Sequence, residues 1–144
     1  MRLLRRAIAA LLLGAATLAA AQDLSLPTAA LRAEARAAAE RRDWPAALPR
    51  FQRLVERHGD DVELLIESAR VHGFADRNAE SAALYRRALA LAPQRRADIV
   101  PSLAWQALWG GAPREAAALF DELASASQGP ARAEALDGLG QARQ

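Results

Sequence analysis

The chain has 144 residues, 52% of them hydrophobic and 25% charged, with 19 basic and 17 acidic side chains. That balance fits one small folded domain and excludes a disordered tail or a large multidomain enzyme. There is no cysteine, so disulfides, zinc–thiolate sites, cysteine nucleophiles and a lipid-modified N-terminal cysteine are excluded. Aromatics are only 5% and alanine is abundant, a composition of closely packed helices, and the expected fold class is all-α.

Residues 1–21 read as an export signal. Arg2, Arg5 and Arg6 form a basic start, Ala7 to Leu18 is an apolar run broken only by Gly14 and Thr17, and Ala19 to Ala21 supply small residues for cleavage after Ala21. An apolar stretch of about 15 residues at 1.5 Å each reaches roughly 22 Å, short of a bilayer core of about 30 Å. The mature chain is therefore expected to be periplasmic or secreted, with no membrane span once the signal is removed. The basic excess lies in this segment. Without its three arginines the balance turns slightly acidic, and a nucleic-acid partner is not expected.

Residues 22–27 form a short lead, and residues 28–144 carry a repeat of about 34 residues. Trp44 to Leu54 aligns on Asn78 to Ala88, with Phe51 over Tyr85, Ala47 over Ser81 and Leu54 over Ala88. Leu31 falls over Leu65, Ala35 over Ala69 and Gly59 over Pro93 at the same offset. A third copy, Pro113 to Leu123, follows one residue later, the extra residue being expected within Gln94 to Asp98. The copies run over about 28–61, 62–95 and 97–130, with a partial fourth at 131–144.

Local signals agree with paired helices. Asp60 with Glu63 suggests a capping box before the second copy, Asp43 or Asn78 suits the start of a second helix, and Gly110, Gly111 and Pro113 mark a turn. Pro101 is placed near a helix start. Pro49 falls inside a second helix, where it is expected to bend the helix on its solvent side without ending it.

These residues resemble the tetratricopeptide repeat, in which small residues lie where two antiparallel helices approach closely and an aromatic sits on the second helix. The small residues of the first helices are Ala35, Ala69 and Ala104, with Gly140 in the partial copy. Those of the second helices are Ala47, Ser81 and Ala116, followed by the aromatics Phe51, Tyr85 and Phe120. Ala88 continues that face, and Pro93 stands where the family closes a repeat. The first helices carry Leu31, Leu65 and Val100 in place of the family's tryptophan. The resemblance implies a right-handed superhelix of antiparallel helix pairs, about three and a half repeats long. An export signal followed at once by such repeats is also similar to the periplasmic regions of bacterial exopolysaccharide export proteins.

No catalytic, metal or cofactor constellation is present in the sequence: there is no phosphate-binding glycine loop and no paired-histidine motif, and His58 and His72 read as solvated and packed respectively. The chain is read as non-enzymatic. The family's groove-facing columns select Arg32 and Arg36, then Ile66, Arg70 and Phe74, then Trp105 and Trp109. Guanidinium groups and indoles suit an acidic or extended peptide of a protein partner, or a polysaccharide whose ring faces stack on tryptophan. Trp105 and Trp109, one helical turn apart, alternatively fill space against the fourth helix. An apolar face left open on the C-terminal helix would also pair two copies of the chain.

Overall fold

In the computed structural model residues 26–144 are described; the expected export signal, its expected cleavage position and most of the lead lie outside them. Among the described residues the secondary structure is helical, without strands. The helices are α1 (Thr28–Glu40), α2 (Trp44–Arg57), α3 (Val62–Phe74), α4 (Asn78–Leu91), α5 (Arg96–Trp109), α6 (Pro113–Ala126) and α7 (Gly129–Ala142), with a 3₁₀ turn Pro93–Arg95 before α5. None is long and apolar enough to cross a membrane.

The chain divides into two units, one ending at Leu54 and one running from Val55 to Gln144. In the first, α1 buries Leu31, Ala35 and Ala38, positions three and four apart that share one helix face. The part of α2 in this unit buries Ala47, Phe51 and Leu54 by the same spacing. Asp43 caps α2, its Oδ1 accepting from the Ala46 N–H at 3.2 Å. Pro49 is exposed, and α2 continues through it.

In the second unit each helix packs on the next, α3 on α4, α4 on α5, α5 on α6 and α6 on α7. Its core holds Leu64, Leu65, Ala69, Tyr85, Ile99, Val100, Leu103 and Phe120. Small residues set the approach of α3 and α4: the buried Ser81 hydroxyl donates to the Ala69 carbonyl at 2.7 Å, which satisfies a buried polar group. Asp61, and not Asp60, caps α3 by accepting from the Leu64 N–H. Glu63 is thereby free of any capping-box role and pairs with Arg95 instead.

The 34-residue period is written into the backbone as well. Arg42, Asp76 and Gly111 have φ of +56°, +57° and +84°, each at the end of a first helix. After each, the next N–H reaches back across the helix end: Asp43 to the Ala38 carbonyl, Arg77 to that of His72 and Ala112 to that of Ala107. This is a left-handed helix stop made three times, at equivalent places.

Two further expectations need correction. Pro101 is the sixth residue of α5, hence interior; it is exposed, as is Ala97, whose carbonyl it leaves without the usual N–H. Where the extra residue is expected, within Gln94 to Asp98, a 3₁₀ turn, Pro93–Arg95, leads into α5 at Arg96. Gly140 is exposed with open space about it, whereas Gly138 lies against Phe120, where an added Cβ would meet Cε1 at 2.4 Å. Gly129 and Pro130 open α7, within two residues of the expected start of the partial fourth copy.

Candidate partner-binding surface

The surface is built by contacts that set α3 beside α5. At their starts Arg95 bridges Glu63 of α3 and Asp98 of α5, the latter at 2.9 Å. Near their ends Gly73 gives the Gln106 side chain room: a Cβ there would meet the amide at 3.0–3.1 Å. Contacts start-to-start and end-to-end mean that the two helices run the same way. Gly110, just past α5, lies so close to Ala79 of α4 that a Cβ would meet its backbone at 2.9 Å. The end of α5 is thus held against the α3–α4 turn.

Exposed apolar side chains gather at this end. Phe74, the last residue of α3, is 72% exposed, and Trp109, the last of α5, is 57% exposed. Burying a large aromatic is worth a few kcal/mol, so two left in water at one end of a unit are informative where a lone exposed leucine would not be. Arg70, one turn before Phe74, is exposed too. Its charge acts on the Tyr85 hydroxyl: burial pushes the phenol above its usual range, while a hydrogen bond with Ser102 and the Arg70 guanidinium pull the other way.

Trp105 is half-buried and packed. It stacks on Trp109 with ring centroids 5.3 Å apart and planes at 27°, and meets Phe120 edge-to-face at 4.8 Å. Its indole N–H donates to Glu134 of α7 at 3.3 Å. The pair therefore has a packed member, Trp105, that props an exposed one. Offset and edge contacts of this kind are favoured by the ring quadrupoles.

Of the other residues selected by repeat position, Ile66 is only 8% exposed and belongs to the core, a correction to its assignment to the groove. Arg32 is half-buried and Arg36 exposed, both on α1 in the first unit. Gln106 and Glu134 were not selected; neither residue type carries a signal at those positions, and only the side-chain contacts reveal them.

Flanking ion pairs brace the second unit. Arg86 of α4 and Glu115 of α6 form a two-point pair at 2.6–2.8 Å, as do Arg96 of α5 and Glu122 of α6 at 2.5–2.6 Å. In each the arginine's hydrogen bonds hold the carboxyl below its usual range, against a smaller opposing effect of burial. Arg87 donates to the Gly59 carbonyl at 3.1 Å.

Among the described residues no group of three or more histidine or acidic side chains could hold a metal ion. His72 donates from Nδ1 to the Ser68 carbonyl at 2.8 Å, a bond that fixes its ring against its own helix. No protein-family model, curated protein or solved structure matches the chain.

Proposed function

We propose that this chain is a non-enzymatic, exported helical-repeat scaffold of the tetratricopeptide type, which holds an extended acidic segment of a partner protein against Arg70, Phe74 and Trp109. The observation that carries the reading is the pair of exposed aromatics, Phe74 and Trp109, at one end of the second unit beside an exposed guanidinium. Rigid aromatics give contact area at little entropic cost, and arginine takes carboxylates at two points. The repeat reading draws on the recurrence of small residues, core aromatics and left-handed helix stops at 34–35 residue intervals. Export rests on the basic and apolar pattern of residues 1–21, and the partner is assigned to an envelope assembly such as an exopolysaccharide exporter, by resemblance.

Capture from envelope extract by the mature chain tests the reading. Arg70→Glu combined with Phe74→Ala should abolish capture while the far-ultraviolet circular dichroism stays unchanged; undiminished capture would refute the assignment. A polysaccharide module is a second reading, favoured by the exposed indole of Trp109 backed by Trp105. It requires that an anionic or amino-sugar oligomer shift the tryptophan fluorescence and that Trp109→Ala remove the response.

A further inference from the structure

A crevice of about 100 Å³ opens where α5, α6 and α7 meet. Pro101 and Trp105 of α5, Phe120 and Leu123 of α6, and Ala131 and Glu134 of α7 are among its walls. The walls are apolar and aromatic except for the hydroxyl of Ser127, between α6 and α7, and one charge, the Glu134 carboxylate. That carboxylate is exposed and accepts a long bond from the Trp105 indole through one oxygen, Oε1. Its other oxygen remains for a second donor, and the salt bridges of the second unit give it no arginine.

We propose that this crevice receives the side chain of a lysine from a partner protein. Size argues for a single side chain, since sites for whole small-molecule ligands run to about 300–1,000 Å³. Chemistry argues for a cation on an apolar stem. Pro101, Leu123, Ala131 and Ala135 offer contact to methylenes, the aromatic wall attracts positive charge through its quadrupole, and Glu134 accepts the charged head. Lysine fits better than arginine because Glu134 Oε1 already accepts from the Trp105 indole, and the one remaining oxygen suits an ammonium, whereas a guanidinium pairs best with two oxygens at once. The chain itself contains no lysine. Residues 1–144 of a second copy offer no lysine, and the occupant proposed is a lysine of a different protein.

This inference goes beyond the proposed acidic-segment surface and uses different residues from the variants that test it. The mature chain, labelled with ¹⁵N, is titrated with Nα-acetyl-lysine amide while the indole N–H resonance of Trp105 is followed. A saturable shift is expected, with binding weakened about fivefold or more by Glu134→Gln and no comparable shift from the norleucine analogue, which keeps the stem and lacks the charge. Glu134 is exposed, so the substitution leaves the fold intact. No shift, an equal affinity in Glu134→Gln, or equal binding of norleucine amide would overturn the proposal. Tighter binding of choline or spermidine than of the lysine amide would also overturn it, by making the crevice a site for a free amine.

Discussion

The Phe120 ring lies directly on the backbone of Gly138: an added Cβ would come within 2.4–2.7 Å of three ring carbons. Phe120 is itself 1% exposed and also meets Trp105 edge-to-face, so moving the ring off Gly138 disturbs a second contact. Gly138→Ala should cost about 1–3 kcal/mol, the usual penalty for overpacking. Gly140→Ala, two positions on in open space, should be neutral or stabilise by up to about 1 kcal/mol through helix propensity. Thermal or urea unfolding of the two variants reads this directly; equal effects would contradict the packing of α7.

The three left-handed helix stops make a second prediction. Arg42 and Asp76 hold the conformation with side chains, and Gly111 holds it without one. Arg42→Gly should stabilise by up to about 1 kcal/mol, and Gly111→Ala should destabilise by about 1 kcal/mol. Asp76→Gly should do less than Arg42→Gly, because aspartate tolerates this region better. Urea denaturation midpoints check the order of the three.

Ser81 and Ala69 supply a third. Ser81→Ala removes the hydroxyl that bonds the Ala69 carbonyl at a fully buried point and should cost about 0.5–1.5 kcal/mol. Ala69→Leu, at the same close approach, should cost about 1–3 kcal/mol. An unaltered melting temperature in Ala69→Leu would contradict the pairing of α3 with α4.

Acid should loosen the second unit in a defined direction. Glu115 and Glu122 have carboxyls held below their usual range when folded by Arg86 and Arg96. The unfolded chain therefore binds more protons than the folded one in acid. The stabilisation is complete above the ordinary carboxylate range and is lost as pH falls through the lowered folded values. The side chains of Arg86 and Glu115 are 42% and 35% exposed, so the pair contributes roughly 0.2–1 kcal/mol. Glu115→Gln with Glu122→Gln should lower Tm at neutral pH and flatten its decline below about pH 5. A parallel decline in variant and parent would remove these pairs from the account.

The recurring core was legible in the sequence because burial imposes a period. Leu31, Ala35, Ala47 and Phe51, with their counterparts 34 or 35 positions on, are all buried, and apolar spacing is what a sequence displays most openly. Gly138 was missed because residues 129–144 cover only a first helix, too little to fix its register, leaving Gly140 as good a choice by composition. Ile66 was misplaced for a related reason: a column rule assigns it to a groove, while its own contacts place it in the core. Asp60 and Asp61 are chemically equivalent caps, and only the backbone decides between them. The surface was legible in part. Arg70, Phe74 and Trp109 stand out by type and position, but Gln106, Gly73 and Glu134 act through contacts that join helices far apart in sequence.

The exposed end at Phe74 and Trp109 is the surface proposed to meet a partner protein. A photoreactive phenylalanine analogue placed in turn at Phe74, at Trp109 and at Leu91 tests it in living cells. Leu91 is also exposed, at 50%, but it ends α4, next to the Pro93–Arg95 turn that leads to the start of α5. On illumination, Phe74 and Trp109 should give adducts of one common mass and Leu91 none. Adducts from Leu91 alone, or none from Phe74 and Trp109, would contradict the account.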